Sequence, residues 1–438
     1  MSPIEDIVGE LKPSHLGAIL EELAIGGVTL RACPRHERIQ GVVHALHALK
    51  DEHAPTFQRL VTECADQISW SEEMTRFVLA DALKLMSEPG LNALLHDELG
   101  PESTEDTFAA NAWRASQRML VAPEVVVHIL SATVPTTAIE AIVLSIAAGV
   151  PCLVRTSNHE RASGRFFLKI LRETSPELAQ HVAVVTWPHD DDQFALQLAR
   201  YRPVVVFHGS DDSIQNFRRM LPQDLELHPF GHRISFGLVA PNEPLNQKKL
   251  EELADNIALD ATLFEGGGCM SMQSLFVMPH PSQRNIAQKL AKLLVERSFP
   301  ALDKRFPRQP LSIEIAAEHM QQLGVAAFSG EALQGEHGNA LIWREPGLRA
   351  SPGWRHLHIS TIPNLEALLD AIAPYRDALS TAGVFMHTQQ LQSAARILGQ
   401  AGVRRICPIG RMQRPLLLRA HDGQLKVRPW FRTCDLEG

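Results

Sequence analysis

Cys269 stands directly behind three consecutive glycines in the run FEGGGCMSMQ. A cysteine attacks as its thiolate. An ordinary thiol of pKa ~8.5 is only about 3% ionised at pH 7, so a working site must lower that value or recruit a base. The glycines let the backbone take positive φ and come close to a bound molecule. Backbone N–H groups left open by such a turn suit the oxyanion that forms when a thiolate adds to a carbonyl. A cysteine beside a turn is equally at home as a small buried apolar residue, and these residues alone leave both readings open.

The other candidates are weaker. HDDD at His189 to Asp192 has metal-binding side chains but reads better as the solvated start of a helix. His356 and His358 alternate along a strand and share a face; without a third ligand they read as structure, and no metal is expected. Six cysteines, at positions 33, 64, 152, 269, 407 and 434, are scattered with no CxxC pair, which argues against a disulfide framework and fits a reducing, cytoplasmic setting. The 438 residues carry a net charge of -8, which gives no electrostatic reason to expect nucleic acid. The first residues lack the basic and apolar regions of a signal peptide. The longest apolar run, Ala138 to Val150, is interrupted by Glu140 and Ser145 and falls short of the ~18 to 20 residues that span a bilayer. No integral membrane segment is therefore expected.

The elements that must position Cys269 follow from periodicity. Leu16, Ile19, Leu20 and Leu23 share one helical face, as do Ala80, Leu83 and neighbours, so the first hundred residues read as helices. From residue 121 the pattern changes. EVVVHIL is a continuous β-branched run, as a strand buried on both faces requires. The loop SATVPTT, the apolar helix AIEAIVLSIAAG and the strand VPCLVRTS complete a βαβ unit. The strands HVAVVTW and PVVVFHG follow with helices between them. This alternation predicts a doubly wound α/β domain that binds ligands at the carboxyl ends of its strands. Those ends are LSATVP, VRTSNHE and FHGSDDS. After FHGSDDSIQNFRRM, the strand ISFGLVAP, the helix up to Phe264, the strand SLFVM and later helices and strands predict a second α/β domain around Cys269.

Phe264, Gly267 and Cys269 fit the pattern F-x-x-G-x-C, and across roughly residues 121 to 390 the order of motifs resembles the aldehyde dehydrogenase superfamily. Within it the chain is most similar to the LuxC-like acyl-CoA reductases. Their H-I-x-x-x-x-V-P matches His128 to Pro135, and their C-terminal signature matches GVRRICPIGRMQRP followed by His421-Asp422-Gly423. The resemblance implies an aldehyde-dehydrogenase-like α/β fold. A helical N-terminal region (1–105) would precede a Rossmann-type dinucleotide-binding domain (106–235). A catalytic domain (236–403) and a C-terminal tail with a possible oligomer contact (404–438) would follow, with the active site between the domains.

The same resemblance implies NADPH-dependent reduction of an acyl thioester, from acyl-CoA or an acyl carrier, to a fatty aldehyde, with NADH also possible and a homo-oligomer expected. Cys269 would be the nucleophile, and Thr133 would take the place of an oxyanion asparagine. Arg155 would lie near the adenosine ribose and favour a 2'-phosphate, Ser157 would line the cofactor site, and Gly209 and Ser210 would turn backbone N–H groups toward the pyrophosphate. Asn158 replaces the carboxylate that would favour NAD. Pro229 falls where hydrolytic relatives carry a glutamate base, which disfavours release of an acid. Arg404 and Arg405 would either grip CoA phosphates or serve a surface contact. Two other readings remain: a cysteine acyltransferase or thioesterase without hydride transfer, and a catalytically weakened partner subunit.

Overall fold

The computed structural model describes residues 11–102, 106–110, 116–131, 134–188 and 191–437. Thr133, His189 and Asp190 lie outside the described residues. The chain forms two compact units. One takes residues up to Ile68, Thr75–Gly231 and everything from Leu416 onward; the other takes Ser69–Met74 and His232–Pro415.

The first unit opens with five helices: α1 (Pro13–Ala32), α2 (Arg35–His47), α3 (Pro55–Ile68), α4 (Glu72–Leu85, its first residues in the other unit) and α5 (Glu88–Leu99). Short strands β1 (Ala109–Ala110) and β2 (Ser116–Val121) follow. Then come β3 (Val126–Ile129), α6 (Thr137–Ala147), β4 (Cys152–Arg155), α7 (Ala162–Thr174), α8 (Pro176–Ala179), β5 (Val182–Val185), α9 (Asp192–Tyr201), β6 (Val204–His208), α10 (Asp211–Met220) and β7 (Leu227–Phe230). Strands β3 to β7 make a parallel sheet in the order β5-β4-β3-β6-β7.

Side-chain alternation explains why this sheet is covered twice. Val126, Cys152, Val154, Val184 and Val206 face a core built with α2, α3, α5, α6 and α7. Val127, Leu153, Val185, Val205 and Phe207 face α1 and α9. Full burial of each such side chain contributes about 1.5–3 kcal/mol. The N-terminal helices thus complete this sheet's core on both faces.

The second unit contains β8 (Ile234–Ala240), α11 (Gln247–Thr262), β9 (Met272–Val277), α12 (Ile286–Leu293), α13 (Phe299–Arg305), α14 (Ile313–Ser329), β10 (Gly330–Gly335), β11 (Gly338–Trp343), β12 (His356–Thr361), α15 (Leu365–Ile372), β13 (Leu379–Met386), α16 (Thr388–Gln400) and β14 (Arg405–Pro408). Its sheet runs β10-β11-β12-β9-β8-β13-β14, parallel except for the edge strand β10. Helix α11 starts where the Asn246 side chain accepts from the Lys249 N–H at 2.9 Å. It buries Leu250, Leu253, Ile257 and Ala261 against one face of the sheet.

The last residues do not trail away. Strand β15 (Arg432–Glu437) pairs antiparallel with β2. The Glu98 carboxylate of α5, 6% exposed, accepts from the backbone N–H groups of Lys426 (2.9 Å), Val427 (2.6 Å) and Arg428 (3.0 Å). The Lys426 ammonium pairs with Glu140 on α6 at 2.5 Å. Glu98→Ala strands three donors, that of Val427 fully buried, and should lower unfolding free energy by about 2–4 kcal/mol. Urea denaturation measures this, and early protease cleavage near residue 426 should accompany it. An unchanged midpoint would show that the clamp is dispensable.

Candidate functional site: a cysteine on an interlocked loop

Cys269 sits on a backbone held in an uncommon shape. After α11 three residues in succession are left-handed: Phe264 (φ 60°), Glu265 (48°) and Gly266 (75°). A second left-handed run faces them, at Gly353 (80°), Trp354 (55°) and Arg355 (62°). Each non-glycine residue in that region costs roughly 1–2 kcal/mol, so neighbouring contacts must over-determine it. They do. The Trp354 N–H donates to the Glu265 carbonyl at 2.8 Å. A Cβ on Gly266 would lie 2.8 Å from the Gly353 Cα, and one on Gly353 would strike the Glu265 carbonyl. Only glycine at both positions lets the two runs touch.

The turn beyond is pinned as well. Gly268 N–H donates to Ser271 Oγ at 3.0 Å, and Ser271 N–H returns to the Gly268 carbonyl at 2.9 Å. Gln413 Nε2 donates to the same Oγ. Ser235 Oγ donates to the Cys269 carbonyl at 2.7 Å and accepts from Thr381 N–H at 3.0 Å. The main chain of Cys269 is fixed while its side chain stays half-buried beside the exposed Gly267. Elsewhere burial pushes the Cys152 thiol up to about 12 and that of Cys407 up to about 11, so both stay protonated.

Glu265, on the same loop, carries a carboxylate 3% exposed with neither oxygen hydrogen-bonded. Burial pushes it up to about 7, against the pull of Arg355 and Arg308, with Asp303 adding to the rise. Arg355 is itself fully buried and bound to Asp303 and to the Phe306 carbonyl.

In the first unit the proposed cofactor residues sit at strand ends, where such sheets bind ligands. Ser210 caps α10, its Oγ accepting from Ser213 N–H at 3.2 Å. Gly209 has no room for a side chain beside the Phe207 ring. Ser157 Oγ accepts from His159 N–H at 2.9 Å. Arg155 is 7% exposed and turned inward, donating to the carbonyls of Trp187 (2.8 Å) and Leu130 (3.4 Å). Two other arginines stand at that strand end. Arg161 reaches Asn158 Oδ1 at 2.7 Å through one nitrogen. Its Nε and Arg165 Nη2 are buried without an acceptor. Gln67 of α3 fixes this turn by accepting from the N–H groups of Arg161 (2.7 Å) and Ala162 (3.1 Å).

Comparison with known proteins sharpens what this arrangement is. The sequence matches the family described as acyl-CoA reductase (LuxC) over residues 35–430. The chain belongs to that family. Among curated proteins it is similar to a long-chain acyl-protein thioester reductase of Photorhabdus luminescens, 23% identical over 233 residues, covering 52% of this chain and 47% of the relative. The protein of the same description from Vibrio harveyi is 23% identical over 332 residues, covering 69% and 65%. The chain thus spans between about half and two thirds of the lengths of those relatives. Its fold is similar to an NAD-dependent benzaldehyde dehydrogenase from Corynebacterium glutamicum (TM-score 0.71, 12% identity, 100% of this chain and 92% of that one). It is equally similar to an NAD-dependent aldehyde dehydrogenase from Sinorhizobium meliloti (TM-score 0.72, 15%, 98% and 88%). The aldehyde-dehydrogenase-like fold expected from the sequence is the one adopted.

In this LuxC-family chain Pro229 lies on β7, an edge strand of its sheet, where a missing N–H is tolerated. Asp191 caps α9 through Gln193 N–H, so that part of HDDD is a helix start. His356 and His358 are buried and turned to structure, His358 Nδ1 accepting from Trp343 Nε1 at 3.0 Å. Among the described residues no cluster fit for a metal ion occurs, and no helix is long and apolar enough to cross a membrane. Arg404 and Arg405 donate to carbonyls of their own unit, Asp377 and Met412. Sequence reasoning missed Glu265, Ser271, Gln413, Trp354 and Arg161. The only local signal was the pair of glycine turns, at Gly266 and Gly353.

A carboxylate raised in the folded state binds protons that the unfolded chain has released, so Glu265 lowers stability as pH rises from about 4.5 to 7. Glu265→Gln should remove that loss, gaining about 3 kcal/mol over wild type at pH 8 and much less at pH 5. Denaturation at the two pH values tests this, and equal effects at both would refute it. Gly353→Ala should break the interlock and slow alkylation of Cys269 by iodoacetamide at least several-fold; an unchanged rate would mean that the loop holds without it.

Proposed function

We propose that the chain is an acyl-thioester reductase that forms a fatty aldehyde through an acyl group carried on Cys269, using NADPH. The observation that carries this reading is a half-exposed cysteine whose backbone is pinned from three sides, in a chain of the LuxC family. The Cys269 sulfur bonds to the carbonyl carbon of an acyl-CoA or acyl-carrier thioester, the bond to the donor sulfur breaks, and the donor leaves as a thiolate. A nicotinamide cofactor held at the strand ends by Ser157, Gly209 and Ser210 would supply the hydride that reduces the resulting thioester carbon. The Cys269 carbon–sulfur bond then breaks, the aldehyde departs and the thiolate is regenerated. By its resemblance the chain has Pro229 where hydrolytic relatives carry a glutamate base, which favours reduction over hydrolysis of the acyl group.

Support for a phosphorylated cofactor comes from charge. Asn158 offers no anion to repel a 2'-phosphate; Arg161, bonded to its side chain, keeps a nitrogen without an acceptor, as does Arg165 on α7. The inward Arg155 suits a supporting role for that turn. A homo-oligomer remains part of the proposal on resemblance.

The test is a stopped assay with a long-chain acyl-CoA, following aldehyde and NADPH together. Equal aldehyde formation and NADPH oxidation is expected, reduced roughly 1,000-fold or more in Cys269→Ala. Consumption of acyl-CoA without oxidation of NADPH would make the protein an acyltransferase or thioesterase instead. Arg161→Ala should raise the KM for NADPH about tenfold and leave that for NADH unchanged; an equal change in both would remove Arg161 from the 2'-phosphate.

A further inference from the structure

We propose that His421, delivered by the C-terminal return, forms with Phe230 and His208 the wall against which the nicotinamide ring lies. The proposal rests on the cofactor reading above and adds a residue to it. His208 ends β6 and Phe230 ends the neighbouring β7, both at carboxyl strand ends. Their rings stack at 4.8 Å, and His421 stacks on Phe230 at 4.3 Å and lies 5.4 Å from His208. All three residues are half-buried rather than sealed in the core, which suits a flat partner at this edge.

The direction of the sheet says which part of the cofactor this is. Ser157, Asn158 and Arg161 follow β4, which places the adenosine end there. Gly209 and Ser210 follow β6, which places the pyrophosphate there. In the order β5-β4-β3-β6-β7 the next strand outward is β7. From β4 to β7 is three strand spacings, roughly 14 Å, and a dinucleotide laid across the strand ends in that sense brings its far ring to Phe230.

His421 is held there by construction. It opens a tight turn in which Asp422 (φ 48°) and Gly423 (φ 81°) are both left-handed, as a two-residue hairpin turn requires. His421 and Gln424 exchange backbone hydrogen bonds at 2.7 and 2.9 Å. The following residues are clamped by Glu98 and by the Lys426–Glu140 pair. Burial alone would raise Glu140, but Lys426, then Arg419 and His208, hold it below its ordinary range. Burial at the packed strand end pushes His208 down to about 4, with Glu140 and Asp422 opposing that shift, so it stands neutral at pH 7. A neutral ring stacks without opposing the positive charge of the oxidised nicotinamide.

The experiment compares binding of NADPH with binding of 2'-phospho-ADP-ribose, which lacks the nicotinamide, to the full-length wild-type chain and to His421→Ala and His421→Phe. The expected result is NADPH weakened about three- to tenfold in His421→Ala, as loss of one ring contact implies. The 2'-phospho-ADP-ribose affinity should stay within about twofold, and His421→Phe should restore most of the NADPH affinity. Equal loss for both ligands, or no loss for either, would overturn the wall. Should His421→Ala fail to fold, His421→Phe decides: near wild-type NADPH binding supports the wall, and a tenfold loss overturns it. Wild-type protein that binds neither ligand would instead refute the cofactor reading itself.

Discussion

Two short left-handed stretches of main chain lean on each other, and the position of Cys269 follows from that contact. Left alone, Phe264, Glu265, Trp354 and Arg355 would relax toward ordinary φ values, each favoured by roughly 1–2 kcal/mol. The bond from Trp354 N–H to the Glu265 carbonyl, and the bare backbone at Gly266 and Gly353, make the relaxed arrangement inaccessible. Cys269 follows three residues after Gly266, too soon for the chain to recover a different direction. The unbonded carboxylate of Glu265 is a further consequence, since this loop carries it into the interior with Arg355 as its nearest compensation.

The C-terminal signature of the family has two halves with two physical jobs. Its first half belongs to the second unit. Asp260 accepts from the N–H groups of Gly410 and Met412, and Gln413 reaches Ser271, so residues 410–413 brace the turn that carries Cys269. The second half belongs to the first unit, where it sets His421 against the ends of β6 and β7. One stretch of chain therefore supports the Cys269 loop in one unit and a strand-end ring cluster in the other.

Much of the fold was legible because its signal is local. EVVVHIL and PVVVFHG read as strands buried on both faces, and the structure places them at β3 and β6. The helices between them were equally clear, because a doubly covered sheet requires apolar helices. Cys269 was legible from three glycines and one spacing. What escaped notice depends on distance. Ser271 and Gln413 are 142 residues apart in the chain, and no periodicity connects them. Arg155 shows what position alone leaves out: it stands at the end of β4 as read from the sequence, and in the structure two of its nitrogens donate to the carbonyls of Leu130 and Trp187. Sequence gives the position of a guanidinium but not the acceptors around it. The inner support of the C-terminal signature was invisible for the same reason.

The central claim is that one sulfur accepts the acyl group. Its most direct measurement is peptide mapping by mass spectrometry after incubating the protein with a long-chain acyl-CoA in the absence of NADPH. One acyl group should be found on the peptide containing Cys269, removed by neutral hydroxylamine and discharged as aldehyde when NADPH is added. An acyl group on another cysteine, or a protein that turns over without ever holding one, would contradict the account.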